Sequence, residues 1–238
     1  MFKFFFNLFL VLTLNIVYCP YVFADNNYDI NQFLNEREQI WPFWSLKNLK
    51  SSNIKKDLIY PSWFEGDWIV TSNNTSQSSE NALVYKVNFY KNELGEIVGN
   101  RPVNSESIGK ALFGEKLKKV KNDPKSINNQ VIYLSDNEYI ESRITERNQI
   151  LDNDLFFADE FVIQTVHRPS ASRINQVEVM SKFYKCNRGQ LNNIETQSED
   201  ICGFQYVATY GSKVGKKNIK AISQTKYKLT FKYLGKRH

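Results

Sequence analysis

From residue 67 onward, apolar and polar residues alternate along the chain in short runs separated by polar turns. The clearest run is 223–234, where Tyr227, Leu229, Phe231 and Tyr233 oppose Lys226, Lys228, Thr230 and Lys232. Successive side chains of a strand point to opposite faces, so this run predicts a half-buried strand. Residues 83–90 repeat the pattern, with Leu83, Tyr85, Val87 and Phe89 against Lys86 and Asn88. Further strands are predicted at 67–72, 129–134, 138–146, 159–167, 175–184 and 201–210. Ser135-Asp136-Asn137 and the Pro169-containing stretch 168–173 read as turns. Roughly eight such strands predict an all-β antiparallel barrel. A barrel of that size is filled by its own side chains or holds one small ligand.

Four segments depart from the period. Residues 104–114 carry Ile108, Ala111 and Leu112 at helical spacing, with Asn104 or Ser105 as cap and Gly114 as stop. This predicts one short helix inside the barrel domain. The stretch 92–99 reads as a turn around Gly95. The stretch 116–124, with Lys116, Lys118, Lys119 and Lys121, reads as a solvated connector. Before the strands, residues 25–59 form a polar arm in which 31–39 has partial helical spacing. Trp41-Pro-Phe43-Trp44 ends it. Two readings of the arm stay open: packing across the barrel's mouth or base, or docking on a partner through Trp41, Phe43 and Trp44.

The first 24 residues change the picture from a plain barrel to an exported one. Lys3, the apolar run 4–17 and Val22-Phe-Ala24 make a secretory signal peptide with cleavage before Asp25. The chain then divides into signal peptide 1–24, arm 25–59 and barrel 60–238, and the mature chain is expected not to span a membrane. Loss of Lys3 takes the formal charge from +6 to +5. So small an excess, spread over the chain, argues against nucleic acid as a partner. Loss of Cys19 leaves Cys186 and Cys202, an even pair in an oxidising compartment, which predicts a disulfide closing a loop of roughly 15 residues.

Chemistry is sparse. The histidines are His167 and His238, and neither stands in a metal-ligand spacing, so no metal or cofactor is expected. Ser107-Ile-Gly-Lys110 fits S-x-x-K, but without the Lys-Thr-Gly strand that accompanies it in penicillin-recognising enzymes. Asp159, Glu160, Glu178, Glu141 and Arg143 sit on neighbouring strands, where the alternation turns most charged residues outward. Phe157, Phe161, Ile163, Phe183, Phe204 and Tyr206 read as barrel filling.

The first strand opens on Tyr60-Pro-Ser-Trp63-Phe-Glu-Gly66-Asp-Trp68. Its Gly66-x-Trp68 resembles the G-x-W of lipocalins and the wider calycin barrels. That resemblance implies a lipocalin-like barrel with Trp68 at the closed end beneath a basic side chain, here Lys226 or Lys228. The whole Y-P-x-W-x-x-G-x-W stretch, followed by Ala111-Leu-Phe-Gly114 closing the helix, resembles an uncharacterised family of cyanobacterial and chloroplast proteins. It implies a periplasmic or thylakoid-lumen location and Trp63, Gly66 and Trp68 as structural residues, and it carries over no catalytic residue. The expectation is an exported, non-enzymatic barrel binding a small apolar ligand such as a pigment, lipid or quinone. The alternatives are an assembly factor docking on a membrane-complex protein through the aromatic arm, and an isomerase or cyclase on the barrel scaffold.

Overall fold

A single antiparallel sheet of ten strands curls into a half-barrel in the computed structural model, which describes residues 30–46, 56–76, 82–186, 200–211 and 220–235. Residues 1–24, read above as a signal peptide and containing Cys19, and His238 lie outside these residues. In chain order the strands are β1 (Gly66–Asn74), β2 (Leu83–Lys91), β3 (Ile97–Gly99), β4 (Leu117–Asp123) and β5 (Ser126–Leu134). They continue as β6 (Tyr139–Leu151), β7 (Leu155–Arg168), β8 (Ala171–Lys185), β9 (Ile201–Gly211) and β10 (Ser223–Gly235). Spatially the order is β3-β2-β1-β10-β9-β8-β7-β6-β5-β4, so the chain's first and last strands pair and the edges are β3 and β4.

Two strands exceed the expected eight. β3 spans only Ile97–Gly99, inside the stretch read as a turn. β4 replaces the expected lysine-rich connector; its pairing with β5 shifts register between Leu117 and Lys119, which blurs the two-residue period. Its exposed Lys118, Lys119 and Lys121 suit an edge strand, where charge discourages pairing with another chain. The β5–β6 turn has Asp136 at φ 61° and Asn137 at φ 57°, two left-handed residues in succession, as a tight hairpin requires.

The gap between the two edges is filled by α2 (Arg101–Phe113), which begins three residues before the predicted start. The reason is that Asn104 does not cap it. Its Oδ1 instead accepts from the Asn88 N–H at 2.7 Å and its Nδ2 donates to the Asn88 carbonyl at 3.0 Å. Ser107 Oγ accepts from the Lys86 N–H at 3.0 Å. These side chains supply β2 with the partners a further strand would give, so the free edge is satisfied without one. Ser105 Oγ accepts from Gln130 on β5 at 2.6 Å, and Gly109 lets Leu117 of β4 come close. Leu112, expected in the apolar stripe, is exposed.

Each face of the sheet has its own core. On the inner face, Trp68, Val70, Val87, Phe89, Phe156, Phe183, Leu229 and Phe231 pack around Phe64 and Leu58. On the outer face, Phe157, Met180, Tyr206, Ala208 and Tyr210 are covered by Phe33, Leu34 and Trp44 of the arm. The arm helix α1 (Ile30–Gln39) therefore lies on the wall formed by β7, β8 and β9. For residues 30–46 this corrects the reading that the arm packs across the mouth or base, whereas Asp57 and Leu58 of the same arm reach the inner face. It also corrects the placement of Phe157, Phe161, Ile163, Phe204 and Tyr206, which lie on the face opposite Phe156 and Phe183 by strand parity.

Cys186 and Cys202 form a disulfide at the β8–β9 end, with Cα atoms 5.1 Å apart. Closing a loop of this length constrains the unfolded chain and is worth about 3 kcal/mol. Replacing both cysteines by serine is expected to lower the unfolding free energy by about that amount in urea titrations. Equal midpoints for variant and parent would show that the bond adds nothing.

Candidate functional site

The segment Tyr60–Trp68 makes the floor of the inner face. Its 3-10 turn, Ser62–Phe64, sets Phe64 at the centre, fully buried, with ring centroids of Tyr60, Phe89, Phe156, Phe183 and Phe231 between 4.9 and 5.9 Å away. Trp68 donates its indole N–H to the Phe64 carbonyl at 2.7 Å, and Trp63 donates its own to the Asn153 carbonyl at 2.9 Å. Gly66 sits at φ +128°, and a Cβ there would come within 2.6 Å of the Tyr233 ring. Only glycine fits that approach. Neither Lys226 nor Lys228 lies beneath Trp68; Tyr233 and Phe231 pack against it instead, at 5.0 and 6.4 Å. Strand parity is the cause. Lys226 and Lys228 project from the outer face of β10, and Lys226 lies over Phe204 at 4.3 Å and Tyr206 at 4.8 Å.

Above this floor, between α2 and the inner face, is a cavity of about 300 Å³. Its apolar wall includes Phe64, Val87, Phe89, Phe156, Phe183 and Phe231. Its polar wall includes Asp57, Tyr60, Arg101, Asn104 and Glu160. Arg101, at the start of α2, holds Asp57 through Nε at 2.8 Å and through Nη2, while Nη1 donates to the Ile127 carbonyl. Burial lowers the Arg101 pKa, but the hydrogen bonds and charge of Asp57, with Glu160 and Tyr60 nearby, together outweigh it and leave it raised. Arg147 donates through Nε to Glu160 at 2.7 Å and through Nη1 to the Lys56 carbonyl. Burial, with Glu160 and Asp57 nearby, pushes the Tyr60 phenol well above the ordinary tyrosine range. Burial likewise pushes Tyr85, on the same wall, up to about 12.

A larger trough of about 560 Å³ lies over β4–β7, walled by exposed side chains such as Lys121, Glu141 and Arg143. It lacks the aromatic enclosure of the inner cavity. Near it His167 stacks on Tyr139 at 4.1 Å and contacts Glu141 and Ser172, both at 3.1 Å. Ser107 and Lys110 of the S-x-x-K sit one turn apart on α2 and engage different partners. The serine accepts from β2 and the lysine pairs with Glu106 on the helix surface. Of the strand carboxylates, Glu160 faces the cavity, whereas Asp159 and Glu178 are buried beneath the arm. Among the described residues, no group of His, Cys, Asp and Glu is arranged to hold a metal ion, and no helix is long and apolar enough to cross a membrane.

The aromatic residues of the arm divide in role. Trp44 is 1% exposed, donates to the Arg37 carbonyl at 2.6 Å and stacks under the Arg37 guanidinium at 4.3 Å. Trp41 packs edge-on against Trp44 and Tyr206. Of Trp41, Phe43 and Trp44, Phe43 is the most exposed, at 84%. Sequence reasoning missed Asp57, Tyr60, Arg101 and Arg147 as site residues, because they come together only where α2 and the segment before β1 cross the sheet.

Fold and cavity together define an all-β half-barrel closed by one helix around a small aromatic pocket. The chain belongs to the family described as Domain of unknown function (DUF6816), whose model matches residues 53–234. The match takes in the Tyr60–Trp68 floor, α2 and all ten strands up to Leu234. Neither the curated proteins nor the solved structures contain a match to the chain.

Proposed function

We propose that the protein is an exported, non-enzymatic carrier that holds a small, mainly apolar molecule between α2 and the inner face of the sheet. The observation that carries this reading is the cavity of about 300 Å³ lined by Phe64, Phe89, Phe156, Phe183 and Phe231. Ligand sites are concave, largely apolar and of this order of volume or larger. A space of that size takes one or two rings, or the ring end of a pigment, lipid or quinone. The secretory leader and the Cys186–Cys202 bond support a periplasmic or thylakoid-lumen setting. Glu160, the carboxylate nearest an enzymatic role, is engaged by Arg147, which favours binding over proton transfer.

Native mass spectrometry of the mature protein purified from its own compartment tests the reading. The expected result is a complex whose excess mass is lost on denaturation and belongs to a small organic molecule. A bare chain, together with an unchanged melting temperature in the presence of ring compounds, would refute it.

A further inference from the structure

The two ends of the cavity differ in what they ask of a ligand. One end is mainly aromatic hydrocarbon, with Ser181 and Gln205 beside it bonded to each other at 3.2 Å. At the other, Asp57, Arg101 and Glu160 line the space, Asp57 paired with Arg101 and Glu160 with Arg147, which stands behind it with its Nη2 buried and without a partner among the described residues. The Arg101 fork, which would otherwise recognise a carboxylate or phosphate, is occupied by Asp57 on Nε and Nη2 and by the Ile127 carbonyl on Nη1. An anionic ligand would have to displace Asp57, and a cationic one would leave its own charge unmatched in an apolar enclosure. A neutral hydrogen-bonding group meets neither obstacle. The Tyr60 hydroxyl makes no hydrogen bond within the described residues, although Tyr60 lines the cavity and its ring is held by Phe64, Phe89 and Phe156 at 4.6–5.0 Å. Glu160 gives one carboxylate oxygen to Arg147 and also lines the cavity.

We infer that the carried molecule is a neutral ring compound bearing a hydroxyl or carbonyl group, with that group hydrogen-bonded to Tyr60 and the ring among the phenylalanines. This rests on the carrier reading above and narrows it to one chemical class. Apolar contact then supplies most of the binding, and the single polar contact supplies orientation. A site built to hydrogen-bond one group discriminates against analogues that lack it, because its own polar atoms would be left unmatched.

The test uses the intact mature protein at neutral pH and three probes of similar size: 2-naphthol, naphthalene and 2-naphthoate. Titration calorimetry or ligand fluorescence gives the three affinities for the parent and for Tyr60→Phe, which keeps the ring and removes the hydroxyl. In the parent, 2-naphthol is expected to bind about tenfold more tightly than naphthalene and at least about tenfold more tightly than 2-naphthoate. In Tyr60→Phe the advantage over naphthalene should vanish while naphthalene binding stays the same. Tightest binding of 2-naphthoate, or a naphthol preference that survives Tyr60→Phe, would overturn the inference and leave the carrier reading standing. Failure of all three probes to bind would take both down. If Tyr60→Phe does not fold, the order of the three affinities in the parent still decides between neutral and anionic ligands.

Discussion

Arg37→Met is expected to destabilise the fold by about 3–5 kcal/mol, a loss read directly from urea or guanidinium unfolding. Arg37 projects from α1 into the outer wall, where its side chain is 3% exposed and that of its partner Glu178 is 0% exposed. Nε donates to Oε1 of Glu178 at 2.8 Å, Nη2 donates to Oε2, and the Tyr210 hydroxyl donates to the same Oε2 at 2.6 Å. Burial and the Glu178 charge push the Tyr210 phenol well above its ordinary value, so it remains a donor. Methionine keeps much of the arginine stem's volume but leaves the Glu178 carboxylate buried without its guanidinium. Breaking one side of a buried pair costs far more than the pair contributes, because the remaining charge stays desolvated. The triple variant Arg37→Met, Glu178→Leu, Tyr210→Phe removes the pair and its hydroxyl together, and it should recover most of the loss. A single-variant cost below about 1 kcal/mol, or a triple variant no better than the single, would show that the arm is not held by this pair.

The companion pair at the other side of α1 is more exposed. Glu38 accepts from Lys182 at 2.6 Å and from Tyr206 at 2.8 Å, at side-chain exposures of 26% for Glu38 and 29% for Lys182. Ion pairs that face water are worth little. The difference between the two pairs therefore assigns most of the arm's electrostatic anchoring to Arg37.

Phe64→Ala carries the other large effect, also about 3–5 kcal/mol. Phe64 is fully buried at the junction of the floor, β2, β7, β8 and β10. Its backbone carbonyl, which holds the Trp68 indole, survives the substitution. The loss therefore isolates the ring's burial and the void it leaves. That void adjoins the 300 Å³ cavity, since Phe64 already lines it. An apolar probe such as toluene should accordingly restore part of the lost stability in the variant, as ring-sized apolar voids take up ring-sized apolar molecules. A loss under about 1.5 kcal/mol would mean that the floor collapses to fill the space.

How far each element was legible follows from how local its cause is. β10 was legible because its two-residue period records one buried face and one solvated face. The stretch Leu155–Phe161 misled for the opposite reason. Both faces of β7 are covered there, the inner by the barrel core and the outer by the arm, so Phe156 and Phe157 are equally buried. The near-continuous apolar run Leu155-Phe-Phe-Ala158 was the available signal of a strand buried on both sides. The same covering explains Asp159 and Glu178: alternation turns them outward, and α1 then buries them. Asn104 misled because a cap residue and an edge-pairing residue have the same chemistry, a short side chain that can satisfy a backbone group.

By itself, the sequence determined the all-β class, the main strands and hairpin turns, and the Tyr60–Trp68 stretch as the start of the sheet. These depend on side-chain periodicity and backbone preferences acting over a few residues. It also put Cys186 and Cys202 at the ends of successive strands, which hydrogen bonding then brings side by side. Only the tertiary structure decided that β1 pairs with β10, that α2 closes the gap left by β3 and β4, and that the arm lies on the outer wall. It alone assembled Asp57, Tyr60, Arg101 and Glu160 at one end of the cavity, with Arg147 paired to Glu160 behind them. The contacts that build this end join residues 44 and 91 positions apart, Asp57 with Arg101 and Lys56 with Arg147, and no local pattern encodes them. Burial of the two faces and the need to pair buried polar groups select them once the sheet has formed.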